Sequence, residues 1–125
     1  MAIVLKSEIF GKNLKKILDN RGAQTEILLV DDKQLKTKIS KVDLLISVLG
    51  KPHFFDEKML KEGAGVIDIG ISREGKKVKG DFDSESTKNR LSFYTPVPGG
   101  IGPMTVAFLL KNSLELFKIK RGMNC

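Results

Sequence analysis

Residues 95–105 read Thr-Pro-Val-Pro-Gly-Gly-Ile-Gly-Pro-Met-Thr and hold three of the chain's four prolines and three of its twelve glycines. Each proline fixes φ and removes a backbone donor. Each glycine permits positive φ and leaves the main chain bare. Pro98, Gly99, Gly100 and Gly102 therefore make a stiff wall, poor in side chains, against which a flat ligand can lie. Either Thr95–Pro96 or Val97–Pro98 has the setting for a cis peptide bond. Thr105 follows, placed to cap the next helix or to touch a cofactor.

Further residues with chemical potential lie in other turns. Lys6 and Ser7 follow the first apolar run and can hold a phosphate or a ribose. Gly11 opens the next helical segment and has two readings. It marks either an anion site made of unpaired helix N–H groups or a close helix–strand contact. Asp31 and Asp32 end the second apolar run about 20 residues later, where an acid often binds the adenosine ribose. A carboxylate there favours NAD over NADP, because a 2′-phosphate would meet like charge; a polar turn is the plainer alternative. His53, the only histidine, is either an acid–base group or a packing residue.

The elements that must position these residues alternate. Strands are expected over 2–5, 26–30, 43–50, 65–71 and 91–95. Helical periodicity is expected over 11–23, 33–42, 56–63 and 105–119, with Asp56 as a cap. In the last of these, Val106, Leu109, Leu110, Leu114 and Phe117 form the apolar positions. Residues 72–83 suggest a hairpin turning at Glu74–Gly75, and 84–90 one helical turn. The pattern predicts an α/β fold: a Rossmann-like, doubly wound, mostly parallel sheet with helices on both faces. Ligands of such sheets bind beyond the carboxyl ends of the strands, and the turns described above all lie at that edge.

Composition narrows the classes. A chain of 125 residues, 41% hydrophobic and 30% charged, fits one globular domain spanning 1–125. The net charge of +7 comes from lysines spread along the chain. With no aromatic-interleaved basic motif, a solvated basic surface is expected rather than a nucleic-acid interface. One histidine and the single Cys125 exclude a zinc spacing and an intrachain disulfide. No apolar run is long enough for a membrane span or a secretory signal, so a cytoplasmic location is expected.

The string TPVPGGIGPMTVAFLLKNSLE closely resembles the C-terminal signature of the bifunctional methylenetetrahydrofolate dehydrogenase/methenyltetrahydrofolate cyclohydrolases. DLLISVLGKPHFF, MLKEGAGVIDIGIS and VKGDFD resemble the same family's preceding blocks, in the same order. The resemblance implies the NAD(P)-binding half of a two-domain enzyme that oxidises 5,10-methylene-tetrahydrofolate and hydrolyses the methenyl product. It implies that Ile71 lies against the cofactor, that Gly50 and Lys51 border it, and that Thr105 approaches the nicotinamide. The Pro98–Gly102 wall is then the side of the cleft where pterin meets nicotinamide. The family's glycine-arginine-serine turn stands here as Leu5-Lys6-Ser7, and Lys6 lacks the arginine's bidentate fork. The implied cofactor is NADP or NAD. No catalytic residue is expected within this chain, because the family's catalytic lysine lies in an N-terminal folate-binding domain expected to be absent here. Tetrahydrofolate would bind only together with that domain. A homodimer is expected, with a non-enzymatic dimerising remnant of the domain as the alternative.

Overall fold

The computed structural model describes residues 1–123; Cys125 lies outside them. Five strands form a parallel sheet: β1 (Ala2–Leu5), β2 (Glu26–Leu29), β3 (Leu44–Val48), β4 (Gly65–Asp68) and β7 (Phe93–Tyr94), in spatial order β2-β1-β3-β4-β7. A separate antiparallel hairpin joins β5 (Ser72–Glu74) to β6 (Lys77–Lys79). The helices are α1 (Glu8–Asp19), α2 (Leu35–Ile39) and α3 (Ile101–Lys120), with a 3-10 turn at Glu57–Met59. The chain runs outward from β1 to β2 and then returns past β1 to β3. The β1/β3 boundary is therefore the switch point at which such sheets open a crevice.

Alternation along the strands explains their nearly continuous apolar sequences, since successive side chains face opposite sides. Ala2, Val4, Leu45 and Val66 point to one face and are buried with Leu35 and Ile39 of α2, Phe55 and Phe82. Ile3, Leu5 and Ile46 point to the other face, beneath Leu14 and Leu18 of α1. Gly11 sits in α1 at that contact, where a Cβ would stand 2.6 Å from Leu5 Cδ2. Its role in the fold is thus the close helix–strand packing.

Several boundaries differ from the periodicity reading. β4 ends at Asp68, which frees Ile69 to Ile71 as a loop, and β7 holds only two residues. Residues 84–90 contain no helix; only 85 and 86 lie in a turn. Asp56 does cap its short helix, accepting from the N–H groups of Lys58 at 2.8 Å and Met59 at 3.2 Å. The final helix begins at Ile101, before the expected Thr105. Proline is tolerated in a first turn, where no N–H partner is required, so Pro103 belongs to the helix. Thr105 therefore does not cap it, and its hydroxyl donates to the Ile101 carbonyl at 2.9 Å. None of the α3 residues is buried among the described residues. Val106, Leu109, Leu110, Leu114 and Phe117 are all more than half exposed.

The strand tips are cross-braced by two buried carboxylates. Ser47 and Asp68 lie on the same sheet face as Leu45 and Val66, by the two-residue period. Asp81 accepts from Ser47 Oγ at 2.6 Å, from the Leu49 N–H at 2.6 Å and from the Lys51 N–H at 2.8 Å. Asp68 accepts from the N–H groups of Gly70 at 3.0 Å and Phe82 at 2.8 Å. Its own N–H donates to Thr95 Oγ1 at 2.8 Å. The pairing is reciprocal: a Cβ on Gly70 would fall on the Asp81 carboxylate, and one on Gly80 would fall on that of Asp68. Burial pushes the Asp68 carboxyl above its ordinary value of 3.8, and the Phe82 N–H pulls against it.

Two outcomes follow for stability. Gly70→Ala forces the carboxylate and backbone apart and is expected to cost about 1–3 kcal/mol in urea unfolding. Gly102→Ala, with open space at its Cβ position, is expected to change stability by about 0.5 kcal/mol or less. Asp68 supplies a pH test. Its folded pKa is raised, so its contribution is fully present below 3.8 and is lost as pH rises through the folded value. Wild type should therefore lose stability relative to Asp68→Asn as pH climbs from about 3 to about 7. A difference that is flat, or that runs the other way, would contradict the raised pKa.

Candidate functional site

Four loops meet beyond the carboxyl ends of β1, β3, β4 and β7. After β1, Lys6 is exposed and Ser7 precedes α1 in an extended conformation, φ −137° and ψ 134°. The Ser7 hydroxyl makes no capping bond, so the first-turn amides of α1 keep their unpaired donors. Glu8, in that turn, is engaged by Lys12 at 2.7 Å. Lys6, Ser7 and the start of α1 together offer a cation, a hydroxyl and a helix N-terminus beside the switch point.

After β3, the chain turns sharply at Gly50, which has φ 63°. Gly50 and Lys51 are exposed, while Asp81 holds the amides of Leu49 and Lys51 from below. The Lys51 ammonium lies 5.3 Å from the centre of the Phe54 ring, a cation–π contact that steadies its stem. After β4, Ile71 is 55% exposed despite its size. It faces a cavity of about 160 Å³ shared with Asp68, Ile69, Val78 and the Pro96–Pro103 segment.

That segment is the expected wall. The Val97–Pro98 peptide is cis, and Gly99 has φ 99°. A Cβ on Gly100 would collide with the Pro96 carbonyl oxygen, so this corner accepts only glycine. Gly99 and Gly102 leave open space where side chains would otherwise stand. Pro98, Gly99, Gly100 and Gly102 thus come together with Ile71 around one small apolar opening. Thr105 lies elsewhere: it borders a different apolar groove, with Met104, Phe108 and Leu109 of α3.

The second strand's acids separate into two roles. Asp32 turns inward, accepting from the Gln34 N–H at 2.8 Å and from Lys38 Nζ at 2.9 Å. The Gln34 N–H, and after it the Lys38 ammonium, holds its carboxyl below the usual value. Asp31 is exposed at the same tip and remains available to a ligand. His53 adopts φ 52°, with Nδ1 3.6 Å from Asp83 Oδ1; its backbone N–H donates to the Gly80 carbonyl at 3.0 Å.

Sequence reading missed Ser47, Asp68 and Asp81. A signal was present: an acid inside the apolar run Val-Ile-Asp-Ile-Gly-Ile, and a Gly-Asp pair leading into Phe82. A charged residue inside a buried strand needs partners, and those partners turn out to be the loops of the site.

These residues fit a dinucleotide cofactor. Cationic and N–H donors stand at one side of the crevice, an exposed acid at the second strand, and a bare apolar wall at the other end. Comparison with known proteins agrees. The sequence model of the family described as tetrahydrofolate dehydrogenase/cyclohydrolase, NAD(P)-binding domain, matches residues 1–121. The chain is 42% identical over 123 residues to the bifunctional protein FolD of Fusobacterium nucleatum, covering 98% of this chain and 44% of that protein. It is 43% identical over 120 residues to the FolD protein of Aquifex aeolicus, covering 96% and 41%. The crystal structure of the FolD methylenetetrahydrofolate dehydrogenase/cyclohydrolase of Campylobacter jejuni superposes with a TM-score of 0.86 at 36% identity, covering 95% of this chain and 43% of that one. The Trypanosoma brucei enzyme, solved with NADP cofactor and an inhibitor, gives 0.83 at 30% identity over 95% and 43%. The chain thus spans less than half the length of these relatives. By its matched length and its strand-tip arrangement, it belongs to the tetrahydrofolate dehydrogenase/cyclohydrolase family as the NAD(P)-binding domain.

Proposed function

We propose that the chain binds NAD(P) across the β1/β3 crevice. The pyrophosphate lies at Lys6, Ser7 and the start of α1, and the adenosine ribose lies near Asp31. Gly50 and Lys51 border the middle of the cofactor, and the nicotinamide rests against Ile71 and the Pro98–Gly102 wall. Thr105 joins the nicotinamide side only if α3 turns its groove toward that opening. The single observation that carries this reading is the shared cavity of Ile71 and the wall at the strand tips. When bound, NAD(P)⁺ supplies the hydride acceptor. The residues of this chain bind it, hold its ring flat and keep one face of the cleft dry.

The reaction of the whole enzyme, oxidation of methylene-tetrahydrofolate and hydrolysis of the methenyl product, belongs in this proposal to a larger assembly. The part of the relatives' length that this chain does not match supplies the catalytic groups and the folate contacts. α3 supports the need for such a cover: Phe108, Leu110, Leu116 and Ile119 leave apolar surface open on more than one side of the helix. The assembly is proposed to be a cytoplasmic homodimer, which the further exposed Ile9, Phe10 and Ile17 of α1 favour. Among the described residues no helix is long and apolar enough to cross a membrane.

Calorimetry tests the cofactor half. NAD is expected to bind more tightly than NADP, and Asp31→Ser should raise NADP affinity about tenfold, a change of about 1.4 kcal/mol. No heat with either cofactor at millimolar concentration would remove the reading. Self-association persisting in that case would favour the non-enzymatic, dimerising alternative. Sedimentation tests the exposed helix. Leu110→Lys should leave the unfolding midpoint unchanged, since the side chain is 68% exposed, while weakening self-association. A species equally associated with and without the charge would show that α3 is not the self-association surface.

A further inference from the structure

Asp81 does not face the crevice. It is completely buried, yet its carboxylate gathers donors from residues 47, 49 and 51, the three alternate positions where β3 runs into the Gly50–Lys51 loop. The neighbouring Phe82 N–H binds Asp68, whose main chain binds Thr95 at the root of the Pro96–Gly100 wall. Hydrogen bonds and the Asp81–Phe82 main chain thus join the β3 loop to the wall beyond β7: loop 49–51, Asp81 and Phe82, Asp68, Thr95, then the wall. The mutual fit of Gly70 against Asp81 and of Gly80 against Asp68 leaves this chain no room to slide.

We infer that Asp81 is a positioning residue for the cofactor, holding the Gly50–Lys51 loop in register with the wall that receives the nicotinamide. The inference rests on NAD(P) binding at the β1/β3 crevice and goes beyond it, because Asp81 touches no ligand there. A carboxylate suits this task better than a neutral group: each oxygen accepts only, so all three donors can be satisfied at once. Asp81→Asn keeps the shape but turns an NH₂ group toward N–H donors. The loop must then move; at metal sites, losing a partner that orients a contacting group without touching the ligand costs about ten- to a hundredfold in affinity, and a loss of that scale is expected here.

The experiment is NAD and NADP titration of the full chain carrying Asp81→Asn, with urea unfolding of the same samples. Ile39→Val, a buried residue of α2 that makes no contact with the Asp81 hydrogen bonds, serves as the destabilised control. The expected result is a Kd raised about tenfold or more in Asp81→Asn, with the control unchanged. Should Asp81→Asn fail to fold, Ser47→Ala carries the test. It removes one donor and keeps the carboxylate, and a Kd raised about threefold is expected, the size of one modest hydrogen bond. Wild-type affinity in a folded Asp81→Asn, or in Ser47→Ala where the first variant does not fold, would overturn the inference while leaving cofactor binding intact. An equal loss of affinity in Ile39→Val would also overturn it, by showing a general stability effect. Wild type that binds neither cofactor would bring down the binding reading and this inference together.

Discussion

Two carboxyl groups buried side by side at the tips of a parallel sheet set the strictest condition in this molecule. Asp68 and Asp81 can stay buried only because the surrounding loops surrender their backbone N–H groups to them. An unpartnered buried carboxylate would cost several kcal/mol. The loops after β3 and β4 and the segment leading into the proline-glycine wall are therefore not free to wander. The sheet gives them their starting points, and the carboxylates give them their spacing. Two glycines complete the condition, since any side chain at residue 70 or 80 would occupy the carboxylates' own space.

From that brace the rest of the site follows in order. The strand sequence β2-β1-β3-β4-β7 places a crevice between β1 and β3. The brace holds one lip of it, and the Pro96–Gly100 segment forms the far wall. Exposed Ile71 gives that wall an apolar counterpart, while Lys6, Ser7 and the first turn of α1 supply the polar end. In the proposed reading, the two chemical characters of a dinucleotide, charged phosphates and a flat ring, would be met at separate places on one sheet edge. α3 stands apart from this logic: it begins at the wall but buries none of its own residues among the described ones, leaving its apolar side chains exposed.

Much of this was legible in the sequence. Alternating apolar runs and helical periodicity predicted the α/β sheet, and the strand tips gathered the glycines and prolines that mark a ligand edge. The wall was readable because three prolines and three glycines in eleven residues leave little room for another meaning. The start of α3 was misread because Gly102 and Pro103 look like loop residues, although a helix's first turn accepts both. The exposure of Leu109, Leu110 and Leu114 was hidden for a different reason: periodicity reports that a face is apolar and says nothing about what covers it. Gly11 has a packing role that spacing alone could not show, since only the fold reveals Leu5 beneath it. The carboxylate brace was missed because the donors to Asp81 lie 30, 32 and 34 residues away and the Phe82 donor to Asp68 lies 14 away, distances over which spacing alone carries no information.

The most direct test of the cofactor-binding account is a map of backbone amide chemical shifts during titration of the full chain with NADP and with NAD. Shifts concentrated at Lys6 to Phe10, Leu49 to Lys51, Ile69 to Ile71 and Gly99 to Gly102 are the predicted result. Shifts confined to the opposite end of the sheet, at Gln24 to Glu26 and Lys41 to Asp43, would contradict it.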